Sequence, residues 1–269
     1  MKDLLKDKYG LTAAQLDHIL RYRKQKAIKP FSLQIGEGEE YRFGAIADTH
    51  LCSIKQELRA LHTYYQICQN RGIKDVYHAG DLVAGQGVYA GQEYELIVFG
   101  ADNQIDYFCK NYPKVEGITT HFILGNHDYA YVKQLGVNVG SHIAEKRPDM
   151  DFLGVFQGDV QYGKIKLIRL VHPDGGMPYA LSYKAQKYVE QIASGNKPRI
   201  LLCGHLHTQY HFLYRNIAVY GCGCFEGQTT LIARRGINPV IGGWIITIKL
   251  GNDAKKSIIS LVSEFIPFF

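Results

Sequence analysis

Short apolar runs bounded by glycine, proline and asparagine dominate the chain from Tyr41 onward, and longer stretches with apolar residues at helical spacing lie between them. Tyr41 to Ala47 reads as a strand, followed by a helix from about Ile54 to Arg71 that Gly72 ends. Strand Asp75 to His78 comes next, then a long loop through Gly91, a helix from about Gln92 to Asn111 stopped by Pro113, and strand Ile118 to Leu124. Residues 159 to 172 predict a hairpin around Gly163, and a helix from Tyr179 to Ala193, capped by Gly195, leads into strand Arg199 to Cys203. Beyond His207 the pattern is mostly strands: Tyr210 to Tyr214, a turn at Arg215 and Asn216, Ile217 to Cys222, Trp244 to Leu250 and Ser257 to Phe265. Strands that alternate with helices and then run consecutively predict two sheets packed face to face, with helices outside.

Ahead of this body, Tyr9 to Lys26 places Leu11, Leu16, Ile19 and Leu20 at roughly helical spacing, with Thr12 as N-cap and Pro30 beyond the end. The predicted division is a basic helical extension over 1–35 and a main body over 36–269. Of the formal net charge of +6, residues 1 to 30 carry +5 (eight Lys or Arg against three Asp), so the body is nearly neutral. Such a segment attracts phosphate backbones or acidic membranes, although a solvated basic helix has the same composition. The stretch LTAAQLDHILRYRKQ is similar to half of a helix-turn-helix, and so are short helices that only pack on a neighbour.

At 269 residues and 46% hydrophobic content the chain can bury one large core, with or without a small appendage. No apolar stretch reaches the roughly 20 residues that span a bilayer, and Met1 to Gly10 is too charged for a secretory signal. The expectation is a soluble cytoplasmic protein without a membrane partner. The six cysteines, at 52, 68, 109, 203, 222 and 224, show no CxxC spacing and fit a reducing compartment. Cys222 and Cys224 flank Gly223 and can in principle hold a soft metal, but two strand thiols without nearby ligands are more often buried small residues.

Five polar stretches follow apolar strands directly, where loops build sites in open α/β sheets. They are Asp48-Thr49-His50, Gly80-Asp81, Gly125-Asn126-His127-Asp128, Val171-His172 and Gly204-His205-Leu206-His207. A lone histidine after a strand is ordinarily a surface or hydrogen-bonded residue, but together these stretches supply the mixed oxygen and nitrogen set that Mn, Fe, Zn or Ni accept. The single residue between Asp48 and His50, and between His205 and His207, predicts extended segments whose alternate side chains enter one pocket. The glycines at 80, 125 and 204 allow sharp turns without a Cβ clash.

The order D-x-H, G-D, G-N-H-D, H, G-H-x-H over residues 43 to 207 resembles the calcineurin-like metallophosphoesterase superfamily. The resemblance implies a four-layer α/β/β/α sandwich of two mixed sheets flanked by helices. It implies two divalent metal ions, manganese foremost and iron, zinc or nickel as alternatives. Asp48, His50 and His207 hold the first, Asn126, His172 and His205 the second, and Asp81 bridges them. Two cations about 3.5 to 4 Å apart activate a bridging water for in-line attack on phosphorus. His127 takes the place of the family's substrate-side histidine, with a hydrogen-bonding role as its plainer alternative, and Asp128 orients the turn.

Protein phosphatases of the superfamily continue the second motif as GDxVDRG, whereas here Ala84 and Gly85 stand where that Asp and Arg would be, leaving His127 without an evident tuner. A phosphodiesterase or nuclease fits the missing arginine better than a phosphomonoesterase, because a diester needs less cationic grip and gains more from a general acid. Tyr89 and Tyr94, with Tyr179 and Tyr183 close to His172, are candidates to stack on bases, Tyr89 and Tyr179 foremost; Arg234-Arg235 and the basic segment are candidates to track DNA or RNA. A non-catalytic scaffold and a nucleic-acid-binding module on the same fold are the alternatives from other classes.

Overall fold

In the computed structural model the described residues are 12, 30–36, 39–176, 178–251 and 257–269, so the expected basic helix over Tyr9 to Lys26 lies outside them. One sheet is built around four parallel strands, β2 (Glu40–Ile46), β3 (Asp75–His78), β4 (Thr119–Leu124) and β5 (Met150–Val155). Beyond β2 it is extended antiparallel by β11 (Gly242–Leu250) and β12 (Ile258–Pro267), in the order β12-β11-β2-β3-β4-β5. The other sheet takes the order β1-β6-β7-β8-β10-β9, from β1 (Phe31–Ser32), β6 (Gln157–Tyr162), β7 (Ile165–Val171), β8 (Ile200–Cys203), β10 (Ile217–Cys222) and β9 (Gln209–Tyr214). Both are mixed, as expected. Phe31 and Ser32, placed in the extension by the sequence pattern, pair with Val160 and Gln161 and so join the second sheet.

Side-chain alternation sorts the strands into layers. Phe43, Ala45, Tyr77, Ile168, Leu170, Leu202, Tyr220, Trp244 and Ile246 fill the space between the sheets. The outer face of the first sheet is covered by α1 (Leu58–Asn70), α2 (Ala101–Asn111), α3 (Asn126–Leu135) and α4 (Val139–Lys146), through Leu61, Tyr65, Phe108, Tyr131 and Ile143. On the outer face of the second, Ala185 and Val189 of α5 (Tyr183–Gln191) pack on Leu201, Cys203 and Val219. The four-layer α/β/β/α sandwich is thus formed. Tyr64 stitches α1 to the sheet, its hydroxyl donating to the Trp244 carbonyl at 2.6 Å and accepting from Ala45 N–H at 3.2 Å. A Cβ on Gly44 would stand 2.7 Å from that hydroxyl, which explains the glycine. Among the described residues no helix is long and apolar enough to cross a membrane.

Several helix boundaries differ from the expected ones. The helix expected from Ile54 begins at Leu58, and the one expected from Tyr179 begins at Tyr183. The helix expected over Gln92 to Asn111 is broken: a 3-10 turn at Gln92–Glu95 ends where Leu96 turns extended and bridges Ser53, and α2 starts only after Gly100 at φ 86°. The segments α3, α4 and β5 are further elements, beyond those that the sequence pattern predicts. In α4, Gly140 gives way to the Phe152 ring, 2.7 Å from where a Cβ would sit.

Candidate metal centre

The strands β2, β3, β4, β7 and β8 end on one edge of the sandwich, and the five polar stretches follow them there. Asp48, His50, Asp81, His205 and His207 all take positive φ, between 41° and 82°. Left-handed backbone costs a non-glycine residue roughly 1–2 kcal/mol, so five such residues persist only where their surroundings fix them. Backbone bonds between the turns do this: Asp48 N–H to Gly80 O at 2.9 Å, Thr49 N–H to Asp81 O at 2.9 Å, and Phe225 N–H to Asp48 O at 2.9 Å. The D-x-H and H-x-H segments are therefore left-handed turns and not the extended segments that their alternation suggested. The close approaches expected at glycine hold. A Cβ on Gly125 would lie 2.2 Å from Asp81 Oδ1, and one on Gly80 2.6 Å from His172 Nδ1.

All seven candidate ligands come together, in two groups. In the first, His50 Nε2 and His207 Nε2 stand 3.1 Å apart, with Asp48 Oδ1 3.8 Å and 3.5 Å from them. In the second, Asn126 Oδ1 lies 3.2 Å from His172 Nε2 and 2.9 Å from His205 Nδ1. Asp81 Oδ2 is 3.1 Å from His172 Nε2 and 3.7 Å from His50 Nε2, between the two. His172 Nδ1 donates to Ala79 O at 2.8 Å, which turns Nε2 toward the site.

Burial, followed by the like charge of neighbouring imidazoles, lowers His50 well below its ordinary value. Burial is the largest cause at His207, held at about 3 against the pull of Asp81, and at His205, held at about 4, where the His172 charge adds to it. These rings present lone pairs. Burial also opposes a charge on His172, but Asp81 beside it outweighs this and raises it to about 9. Correspondingly, burial would lift the Asp81 carboxyl, and the His172 and His127 imidazoles instead hold it well below the usual range.

Asp128, fully buried, orients the turns as expected. Its Oδ1 accepts from Leu82 N–H and Val83 N–H, both at 3.0 Å, and its Oδ2 from Gly125 N–H at 2.9 Å, which joins the Asp81 turn to the Asn126 turn. His127 donates its backbone N–H to Asp81 Oδ1 at 2.8 Å and its ring Nδ1–H to Ala84 O at 2.6 Å. A backbone carbonyl thus orients the ring where the sequence offered no side chain for the task. Gly85, at φ 68°, packs so closely that a Cβ would meet His127 O at 2.4 Å, and Gln104 bonds both its N–H and its carbonyl at 3.0 Å.

A cavity of about 290 Å³ opens over these residues, walled by Val88, Tyr89, Leu231, Ile232 and Ile237. Tyr89 lines it and stands 6.3 Å, ring to ring, from His127, but its hydroxyl is committed to Glu95 at 2.5 Å. Tyr179 does not reach the cavity: it is fully exposed on the turn ahead of α5, because that helix starts four residues later than expected. Cys222 and Cys224 are buried thiols that burial pushes well up, and Cys224 Sγ faces backbone carbonyls. Glu226, after β10, was missed. It is buried, 3.8 Å from His50 Nε2 and 4.0 Å from His207 Nδ1, and burial with the charges of Asp48 and Asp81 lifts it to about 8. Its signal was the same as for the others, a polar residue just beyond an apolar strand.

The sequence model of the calcineurin-like phosphoesterase family matches residues 41–209. A DNA polymerase II small subunit from Methanocaldococcus jannaschii is 24% identical over 200 residues, covering 62% of this chain; the chain spans about a third (33%) of that relative's length. Among solved structures, a novel archaeal phosphodiesterase is similar at 14% identity and TM-score 0.46, over 84% of this chain and 99% of the other. Vacuolar protein sorting 29 from Cryptosporidium parvum is similar at 16% identity and TM-score 0.42, over 85% and 98%.

Proposed function

The chain belongs to the calcineurin-like phosphoesterase family, and on that basis we propose that it is a metal-dependent phosphodiesterase acting on nucleic acid or a nucleotide. Asp48, His50 and His207 would hold one divalent cation and Asn126, His172 and His205 the other, with Asp81 serving both. The observation that carries this reading is Asp81 Oδ2, 3.1 Å from His172 Nε2 in one group and 3.7 Å from His50 Nε2 in the other. Donor atoms at about 2.1 Å from one ion stand roughly 3 Å apart or more, so buried ring nitrogens 3.1 Å apart fit a cation between them. Manganese is the foremost candidate, and iron, zinc and nickel suit the same donors.

Bound there, the cations supply Lewis-acid activation of water and neutralise the phosphoryl oxygens. The chain's own residues do the rest. His127, anchored through Nδ1–H on Ala84 O, has Nε2 left for the substrate. Protonated, that nitrogen donates to a phosphoryl oxygen or passes its proton to the leaving alkoxide. The His127 backbone N–H fixes Asp81 Oδ1, which aims Oδ2 at the imidazoles. Gly85 has no room for a side chain, so this loop supplies no guanidinium to grip a dianion, which favours a diester with its single charge. The polymerase-subunit name of the curated relative supports DNA as substrate.

With Mn²⁺ the purified chain is expected to hydrolyse bis(p-nitrophenyl) phosphate faster than p-nitrophenyl phosphate. A preference for the monoester rejects the reading.

A further inference from the structure

Arg234 and Arg235 adjoin in sequence at the end of a short helix, α6 (Thr230–Arg234), but the fold separates their surroundings. Arg235 lines the cavity over the candidate metal centre, together with Leu231, Ile232 and Ile237, whereas Arg234 does not. The candidate ligands Asp81 and His207 are buried while Arg235 is exposed, so the ligands form the floor of the cavity and Arg235 its rim. Among the described residues the arginines in ion pairs are Arg71, Arg147 and Arg169, and Arg235 is not one of them.

Lys184 of α5, which does not itself line the cavity, donates through Nζ to the carbonyls of two residues that do, Asp174 at 2.9 Å and Gly175. Burial lowers the Lys184 ammonium below its ordinary value, and the Arg235 charge adds to this against the pull of Asp174. Val88, Leu231, Ile232 and Ile237 give the cavity an apolar side, and Asp174, Glu226 and Thr229 line it as well. At about 290 Å³ the cavity lies near the lower end of small-molecule pockets, enough for about one nucleotide unit.

Resting on the phosphodiesterase reading above, we propose that Arg235 forms a subsite for a second phosphate of the substrate. The apolar wall of Val88, Leu231, Ile232 and Ile237 takes the sugar or base between that phosphate and the phosphorus at the metal centre. The substrate class is then a phosphodiester carrying a further phosphate one unit away, as a nucleic-acid strand does and an isolated diester does not. Arginine suits the task because its fork of N–H donors matches phosphate oxygens bidentately.

The test is calorimetric titration of the manganese-loaded chain with thymidine 5′-monophosphate and with thymidine 3′,5′-bisphosphate. The bisphosphate is expected to bind about tenfold more tightly, as one charge-assisted bidentate contact provides. Arg235→Ala should remove most of that difference, and Arg234→Ala should preserve it. Equal affinity of the unaltered chain for the two ligands, or equal losses in the two variants, overturns the subsite. Turnover of bis(p-nitrophenyl) phosphate, measured alongside, reports on the other reading: discrimination that depends on Arg235 without diester hydrolysis keeps the subsite and removes the phosphodiesterase.

Discussion

Replacing Asp128 by alanine removes one carboxylate that holds two turns of the candidate site together. The Leu82 and Val83 N–H groups lose an acceptor at 3.0 Å, and the Gly125 N–H loses one at 2.9 Å, all of them in a buried setting. A buried donor left without a partner costs about 1–3 kcal/mol, so three sum to roughly 3–9 kcal/mol before relaxation. Single substitutions seldom exceed about 4–5 kcal/mol, because water enters and backbone shifts, and the expected loss for Asp128→Ala is therefore about 3–5 kcal/mol. In a chain of this size that lowers Tm by roughly 10 °C. Asp128→Asn separates the contributions. Its carbonyl oxygen keeps the Leu82 and Val83 bonds while its amide faces the Gly125 N–H, so about 1–3 kcal/mol should be lost. Urea unfolding of chelator-treated chains measures both without a contribution from metal release. A loss under about 1 kcal/mol for Asp128→Ala at unchanged m-value would show that the three bonds do not anchor these turns.

Asp81→Ala should abolish hydrolysis and leave little metal on the desalted protein by elemental analysis, whereas His127→Ala should keep its metal and lose about 10²–10⁴-fold in kcat; equal metal loss in both would remove the distinction between ligand and proton donor. Gly85→Arg introduces the arginine of the protein-phosphatase motif at a φ of 68° where a Cβ meets His127 O at 2.4 Å, and it should destabilise by about 1–3 kcal/mol without improving monoester hydrolysis; a gain in monoesterase activity contradicts this. His121 lies far from the centre, between Asp75 at 2.9 Å and Asp151 at 3.2 Å. Burial opposes its charge, but these bonds raise it above the ordinary histidine value. Its contribution is thus complete below the unfolded value near pH ~6.5 and declines as pH rises through the raised folded value. The urea midpoint of the parent should fall toward that of His121→Phe over this window, and a constant gap refutes the assignment.

Much of the fold was legible because β2, β3, β4, β8 and β10 are apolar runs closed by glycine or polar residues, a signal that survives without tertiary context. Regions with mixed signals were not. The α3 to β5 segment places Gly140 inside a helix to admit Phe152, and the expected Gln92 to Asn111 helix breaks where Leu96 pairs with Ser53, choices that only a distant partner explains. The candidate ligands were legible as residue types just beyond apolar strands. Glu226 was the same kind of residue but outside the recognised motif, and Tyr179 stood close in sequence to His172 while the fold left it in solvent.

What the chain determines by itself is therefore the inventory: which segments pair as strands, and which oxygen and nitrogen donors leave their ends. The tertiary structure alone decides that His50 and His207, 157 residues apart, meet at 3.1 Å, and that five left-handed residues are held in place. It also decides that a carbonyl of Ala84 orients His127 and that Arg235, not Arg234, faces the cavity. Donor chemistry is a property of each side chain, whereas separation and backbone strain are set by bonds to residues far away along the sequence.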